Sequence, residues 1–122
     1  MVNPLPQINL RPIGFVRSEV KDRVRREFKG VVSDIVIDPA LAEALDGLEE
    51  FSHIIVIYYV HRSRRPTRMK IHPRGDPQIP LMGLFATRSP DRPNPVGKTT
   101  VRLIERKGST LKVEGLDAID GS

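Results

Sequence analysis

The chain has 122 residues, 39% of them hydrophobic, which suits a single domain with its own core. It contains no cysteine, which excludes disulfides, thiol catalysis and thiolate-bound metals. Twenty Lys and Arg residues against 15 Asp and Glu give a net charge of +5, a balance typical of proteins that bind nucleic acids. No apolar run is long enough for a membrane helix and the N-terminus lacks the pattern of a secretory signal, so we expect a cytoplasmic protein.

Two segments near the N-terminus predict strands. Residues 10–18 and 31–38 are rich in β-branched side chains and are bounded by turn-forming residues. Residues 39–48 are the best helix candidate, because Asp38 can cap them and Pro39 suits the first helical position. Their leucines also recur at spacings of four and three residues, which is typical of one helical face.

The next strand is predicted over residues 53–61, where the sequence H-I-I-V-I-Y-Y-V-H is almost wholly apolar. This continuity predicts burial on both faces of the strand. Three more strands are predicted, at residues 81–87, 99–106 and 111–117. Lys107 and Gly108 supply the hairpin turn between the last two. Six short strands, one or two short helices and no β-α-β alternation indicate a mainly β fold, a small antiparallel-rich β-barrel-like single domain over residues 1–122.

A cluster of positive charge follows the apolar strand. Residues 62–74 contain no acidic residue. Their six cations are Arg62, Arg64, Arg65, Arg68, Lys70 and Arg74. Arginine matches the geometry of phosphate better than lysine does, so the cluster predicts contacts with a nucleic-acid backbone. A solvated loop whose charge only aids solubility is the alternative interpretation.

The histidines do not indicate a metal site. His53 and His61 lie on one face of the same predicted strand, separated by about 27 Å of extended chain. His72 lies in the basic segment, which has no acidic residue before Asp76. We therefore predict no metal. His61 closes the apolar strand where the basic segment begins, so it is either a strand-end residue or part of a functional site.

Residues 85–97, F-A-T-R-S-P-D-R-P-N-P-V-G, form the most unusual segment. Its three prolines fix their own φ angles and restrict the residues before them. The segment is thereby predicted to hold Arg88, Arg92 and Asn94 in a preset arrangement. Guanidinium and amide groups suit a ligand with a carboxylate and hydrogen-bonding edges. A stiff surface turn is the alternative interpretation.

The last residues, 115–122, read G-L-D-A-I-D-G-S. Asp117 and Asp120 could accept hydrogen bonds from a ribose diol or an ammonium group, and Gly121 would allow close approach of the backbone. Equally, Asp-Gly is among the commonest turn dipeptides.

Together these segments resemble the TsaA-like tRNA methyltransferases. The resemblance covers most of the chain, at residues 13–18, 45–61, 72–77, 83–97 and 115–122. Its most specific part is the A-T-R-S-P-D-R-P-N-P core of the proline-rich segment. Residues 23–30, R-V-R-R-E-F-K-G, depart from the P-R-Q-x-G-like loop of many members, so the role of this loop is left open. Relatives continue past the last residue with a short strand, so we expect either a minimal member or a truncated chain.

The resemblance implies S-adenosyl-L-methionine as cofactor and N6-methylation of threonylcarbamoyladenosine at position 37, next to the anticodon of tRNA. It also implies a β-barrel-like fold and a homodimer with the cofactor near the subunit interface. The predicted cofactor contacts are His61, Arg62, Arg88, Arg92, Asn94, Pro95, Ala118, Ile119, Asp120 and Gly121.

The mechanism leaves several roles open. The target nitrogen is a poor nucleophile while protonated, so a base would help, and the candidates are His61, Asp117 and Asp120. Arginines of the basic cluster could pair with the carboxylate of the modified base and with phosphates of the anticodon loop. Two other functions fit the sequence: a non-enzymatic RNA-binding barrel, and a methyltransferase acting on another modified nucleoside or small molecule. No membrane partner is expected.

Overall fold

The computed structural model describes residues 4–18, 30–60, 69–87, 93–118 and 120–122. Within these residues the chain forms seven strands: β1 Gly14–Arg17, β2 Val32–Ile37, β3 His53–Tyr59, β4 Lys70–Ile71, β5 Met82–Gly83, β6 Val96–Lys107 and β7 Thr110–Glu114. Short 3-10 segments lie between them at Pro39–Leu45, Leu48–Glu50, Pro73–Gly75 and Leu84–Ala86. None of the described helices is long and apolar enough to cross a lipid bilayer.

Five strands form one antiparallel sheet in the order β1-β2-β7-β6-β3, and β4 and β5 form a separate hairpin. The sheet curls around one face, which confirms the predicted mainly β, barrel-like fold. The end of the described chain adds to this closure at β1. The backbone of Val16 accepts the N–H of Gly121 and donates to the carbonyl of Ser122, both at 2.7 Å.

The core lies on the inner face of the curled sheet, because alternate residues of each strand point to that face. Its three most completely buried large side chains are Val101, Val113 and Leu116. The other buried members of the cluster are Val16, Ile35, Ile37, Leu45, Leu103, Leu111 and Ala118. Burying a side chain of this size stabilises the fold by roughly 1.5–3 kcal/mol. Leu116 and Ala118 follow β7, so the C-terminal residues help to cover the core.

The predicted helix over residues 39–48 is wrong in type and length. The chain forms a 3-10 helix at Pro39–Leu45 and a second one at Leu48–Glu50, separated at Gly47, where φ is 89°. The predicted cap is confirmed: the Asp38 carboxylate accepts the N–H of Ala40 at 3.0 Å. The pattern located the segment correctly, but so short an element does not gain the cooperative hydrogen bonding of a long α-helix.

Arg106 ties this 3-10 region to the sheet. Its guanidinium lies 3.0 Å from Asp46 and 3.3 Å from Glu49, and it also donates to the carbonyl of Ala42. These partners raise the pKa of Arg106, chiefly through the hydrogen bond with Asp46. The pKa of Glu49 is lowered from 4.5, first by its own backbone N–H and then by Arg106. The side chain of Arg106 is only 16% exposed, so it forms a fixed link between the 3-10 region and the sheet.

Two other boundaries need correction. Of the strand predicted at residues 81–87, only Met82–Gly83 is extended. The chain then turns at Leu84–Ala86, where the N–H of Thr87 donates to the carbonyl of Leu84. The hairpin turn between β6 and β7 falls on Gly108 and Ser109, one residue later than predicted, and Gly108 adopts a φ of 58°.

The predicted burial of β3 on both faces is wrong for the single chain. Its side chains alternate, with Ile54, Val56 and Tyr58 packed against the core. On the other face Ile55 is 59% exposed and Ile57 is 72% exposed. The five described strands of this sheet form a single curled layer, with β3 at its edge beside β6, and this layer packs on the core through its inner face. Among the described residues, nothing forms a second layer over this apolar face.

Candidate functional site

The described residues of the predicted site lie at one end of the five-stranded sheet. β1, β3 and β7 end there, and β2 and β6 begin there, because neighbouring strands run antiparallel. Asn94 and Pro95 precede β6, Val60 follows β3, and residues 115–122 follow β7. The topology thus brings both predicted ligand-binding segments to the same end. Several predicted residues lie outside the described part of the chain: His61, Arg62, Arg88, Arg92 and Ile119.

The Asn94–Pro95 segment is tied to the end of the edge strand. The N–H of Val60 donates to the carbonyl of Pro95 at 2.6 Å, and the N–H of Val96 donates to the carbonyl of Asn94 at 2.8 Å. Proline cannot donate to a ladder, but here its carbonyl extends the β3–β6 pairing. Pro95 is buried and Asn94 is exposed. The segment therefore presents the Asn94 amide from a fixed backbone, beside the residue that precedes His61.

Tyr58 is a residue of this region that the sequence reasoning missed. It pairs directly with Gly97 in the antiparallel register. A Cβ atom added to Gly97 would lie 2.6 to 2.9 Å from the ring and hydroxyl atoms of Tyr58, so the phenol ring covers the bare Cα of this glycine. The hydroxyl also lies 3.4 Å from Thr99 Oγ1. The sequence offered only the glycine that closes the proline-rich motif as a signal, because its pairing with Tyr58 depends on strand register.

The C-terminal turn is fixed to β1. One carboxylate oxygen of Asp120 accepts the N–H of Ser18 at 2.8 Å, and Gly121 adopts a φ of 91°, which favours glycine. The side chain of Ala118 is buried in the core, so only its backbone can face a ligand. Asp117 is exposed. The turn interpretation of the Asp120-Gly121 pair is therefore confirmed, and the ligand-site interpretation stays a prediction.

The two predicted ligand-binding segments belong to opposite margins of the sheet. Asn94 and Pro95 extend the β3–β6 pair, whereas Asp120 and Gly121 bond to the backbone of β1 and its following residue. β2 and β7 lie between these margins in the strand order. A ligand that contacts both segments of one chain has to span the end of the curled sheet from one margin to the other. Alternatively, it binds where two chains meet.

The basic cluster is described only in its second part. Arg62, Arg64, Arg65 and Arg68 lie outside the described residues, whereas Lys70 and Arg74 are exposed. Lys70 belongs to the β4–β5 hairpin, and Arg74 lies in the loop that joins the two strands. This loop is closed by His72, whose Nδ1 donates to the carbonyl of Ile79 at 2.7 Å. Arg74 itself has a φ of 58°, the left-handed region that few residues with a side chain adopt.

The described histidines have local roles. The Nδ1 of His53 shares a hydrogen bond with Ser52 Oγ at 2.9 Å, and the Nδ1 of His72 closes its own loop. Within the part of the chain that the structure describes, no three His, Cys, Asp or Glu side chains come together as metal ligands would.

A shallow groove also lies on the outer face of the sheet. It is lined by Arg17, Asp34, Glu105, Lys107, Thr110 and Lys112. Its charges are paired, since Arg17 lies 3.1 Å from Asp34, and both lysines lie 3.8 Å from Glu105. Exposed ion pairs of this kind contribute little to stability. We therefore interpret the groove as a solvated outer face.

Comparison with known proteins identifies the class of this domain. Residues 22–122 match the family described as the tRNA-methyltransferase O N-terminal domain. The chain is 45% identical over 120 residues to a probable S-adenosyl-L-methionine-binding protein of Methanothermobacter thermautotrophicus, an alignment that covers 95% of this chain and 85% of that protein. It is 40% identical over 117 residues to an S-adenosyl-L-methionine-binding protein of Archaeoglobus fulgidus, covering 93% and 82%.

The fold agrees with this assignment. The crystal structure of TrmO from Pseudomonas aeruginosa superposes with a TM-score of 0.74 at 27% sequence identity, covering 95% of this chain and 52% of that one. The chain belongs to the tRNA-methyltransferase O N-terminal domain family. It spans about half the length of the solved structures that it matches.

Proposed function

We propose that this chain is an S-adenosyl-L-methionine-dependent methyltransferase domain that acts on tRNA. The observation that carries the proposal is the Asn94–Pro95 segment. It belongs to the most distinctive motif of the sequence, and its backbone is fixed at the end of β3 by the bond from Val60. The family match and the names of the relatives support the same cofactor and substrate class.

The described residues suit the chemistry of this cofactor. The exposed Asn94 amide can donate a hydrogen bond to the carboxylate of the cofactor's amino-acid end and accept one from its ammonium group. A carboxylate has about four acceptor positions, so Asp120 can serve a ribose hydroxyl as well as the N–H of Ser18. Gly121 has no side chain to hold a ligand away from the backbone. We propose that these residues act with His61, Arg62, Arg88, Arg92, Pro95, Ala118 and Ile119.

The reaction that we propose is N6-methylation of threonylcarbamoyladenosine at position 37 of tRNA. When bound, the cofactor supplies an electrophilic methyl group, and the chain must orient the acceptor nitrogen and take up its proton. His61, Asp117 and Asp120 are the candidate bases. Asp120 already accepts the N–H of Ser18, which fixes its orientation. Arginines of the basic cluster would pair with the carboxylate of the modified base.

We also propose a homodimer, formed through the outer face of β3. Ile55, Ile57 and Tyr59 line this face, and Val96 lies opposite Tyr59 on β6. Contiguous exposed apolar side chains of this kind mark protein interfaces. A second copy packed here would lie next to Asn94 and Pro95. It could therefore complete a cofactor site whose two segments lie on opposite margins of one chain.

The β4–β5 hairpin is the proposed surface for tRNA phosphates. A left-handed conformation costs a residue with a side chain roughly 1–2 kcal/mol, yet an arginine occupies this position. Arg74→Gly should therefore leave the free energy of unfolding unchanged or raised by about 1 kcal/mol, while the slope of log K against log salt for tRNA falls by about one. Lys112→Ala, on the outer face of the sheet, is the matched control. An unchanged slope for Arg74→Gly would place the RNA surface elsewhere.

Cofactor binding separates the methyltransferase from a non-enzymatic RNA-binding barrel. S-adenosylmethionine or its demethylated product, at 100 times its dissociation constant, should stabilise the protein by about 2.7 kcal/mol. Differential scanning calorimetry measures this directly, and isothermal calorimetry gives the dissociation constant. If the protein binds tRNA but shows no binding heat and no shift in melting temperature with either ligand, the result would support the RNA-binding barrel instead.

A further inference from the structure

We propose that Tyr58 is a positioning residue of the cofactor site, and that it acts through Gly97. This inference rests on the proposed function, because it concerns how the Asn94–Pro95 segment is held. Tyr58 in β3 and Val60 just after it contact the chain around the start of β6. Val60 binds the carbonyl of Pro95, and the ring of Tyr58 covers Gly97.

The packing of Tyr58 depends on the absence of a side chain at position 97. A Cβ atom there would lie 2.6 Å from the Tyr58 Cζ atom and 2.9 Å from its hydroxyl oxygen. Carbon atoms that are not bonded stay at least about 3.5 Å apart, so an alanine would force the ring to move. An aromatic side chain lying over a glycine on the neighbouring strand is a known means of fixing strand register.

The position of this pair gives it a role in ligand binding. Tyr58, Gly97 and Thr99 share the inner face of the sheet, and Tyr58 packs against the edge of the core. Gly97 lies two residues beyond Pro95. The ring therefore links the core to the base of the segment that we assign to the cofactor. If the ring moves, the Asn94 amide moves with the end of β6, whereas the remainder of the sheet keeps its own pairing.

The experiment compares two glycines that are both closely packed. Gly97→Ala displaces the Tyr58 ring at the site end of the sheet. Gly14→Ala is the matched control, because a Cβ atom at Gly14 would overlap the Val36 carbonyl and contact Ile37 at the opposite end. Ile37→Val is a milder change at that place and serves if Gly14→Ala does not fold. For each variant we would measure the melting temperature without ligand and the Kd of S-adenosylhomocysteine by isothermal calorimetry.

We expect Gly97→Ala to raise the Kd about tenfold or more, because small displacements of binding groups are costly, while the control at the opposite end lowers only the melting temperature. Tyr58→Phe keeps the ring and should bind nearly as the wild type does. Adding Gly97→Ala to Tyr58→Ala should raise the Kd much less than adding it to the wild type, because the ring that it displaces is already absent.

A spectroscopic measurement provides an independent test. The chain has two tyrosines and no tryptophan, so Tyr59→Phe leaves Tyr58 as the only source of tyrosine fluorescence. Its emission should change when S-adenosylhomocysteine binds. If the wild type binds the ligand and Gly97→Ala binds it equally well, the positioning role is overturned and the proposed function stands. If the wild type binds neither S-adenosylhomocysteine nor S-adenosylmethionine, both proposals are overturned together.

Discussion

The sheet has two halves that differ in how completely they are covered. In the half formed by β1, β2 and β7, the inner face buries the core, and the outer face carries charged pairs such as Arg17 with Asp34 beside the half-exposed Phe15 and Val32. In the half formed by β3 and the start of β6, the inner face packs on the core but the outer face exposes Ile55 and Ile57. A charged outer face is stable in water, whereas an apolar one gains by being covered. The half next to Asn94 and Pro95 is therefore the one that we expect a partner to complete.

The largest expected effect comes from placing a charge on the exposed half. Ile57→Glu would place a carboxylate in the proposed interface, where taking a charge out of water costs several kcal/mol even beside Lys98, which lies opposite position 57 on β6. We expect sedimentation to show a dimer for the wild type and a monomer for this variant at micromolar concentration. Phe15→Glu makes the same change on the outer face of β1 and should leave the dimer intact. If both variants sediment as the wild type does, the outer face of β3 is not the interface.

A second change tests the covered half. Leu116 is 0% exposed, so Leu116→Ala should lower the free energy of unfolding by about 2–5 kcal/mol through lost contacts and a cavity. Ile57→Ala, measured at a concentration where the protein is monomeric, should change it by no more than about 0.5 kcal/mol. Urea denaturation gives both values. Equal losses would show that the two faces are equally buried in one chain.

A smaller effect is expected at Ser33, a polar residue inside the covered half. It is 2% exposed, and among the described residues its hydroxyl has no hydrogen-bond partner. An unsatisfied buried hydroxyl costs about 1–3 kcal/mol, so Ser33→Ala should stabilise the protein by about 1 kcal/mol in urea denaturation. Destabilisation instead would show that the hydroxyl does make a favourable contact in solution.

The smallest expected effect is on the pH dependence of stability, through the ion pair between Arg106 and Glu49. The pKa of Glu49 is lowered from 4.5 in the folded chain, so its contribution to stability is present above that value and is lost as pH falls through the folded pKa. Wild-type protein should therefore lose more stability than Glu49→Gln between about pH 5.5 and pH 3.5. Urea titrations at several pH values measure the difference. If the free energy of unfolding falls with pH equally in the two proteins, the Glu49 carboxylate makes no pH-dependent contribution to stability.

The sequence predicted the covered half better than the exposed one. β2 lies within one residue of the bounds predicted from its β-branched side chains, and β7 begins one residue before its predicted start, although it ends three residues early. The continuous apolar run of β3 was interpreted as a doubly buried strand, yet burial alternates along it in one chain. Hydrophobic pattern reports which faces avoid water. It does not report whether the same chain or another one covers them.

The residues of the candidate site stay a prediction, whereas the arrangement of the described ones could not be predicted from the sequence. Of the residues that the prolines were predicted to restrain, Asn94 is described and its backbone is hydrogen-bonded, and the Asp120-Gly121 pair forms a turn as such dipeptides often do. What the sequence could not supply was strand order, which places these two segments on opposite margins of the sheet. The Tyr58–Gly97 contact also depends on strand register, which no spacing along the chain reveals.

The most direct test of the proposed function is transfer of a labelled methyl group to two transcripts of one tRNA, one threonylcarbamoylated at position 37 and the other not. Loop bases can be read without opening a helix, and arginines arranged for a carboxylate are left unpaired when it is missing. We therefore expect label in the modified transcript, recovered as the N6-methylated nucleoside, and little or none in the unmodified one. Equal labelling of both transcripts would contradict the proposed recognition. Absence of label in either, with the cofactor bound, would contradict the proposed substrate.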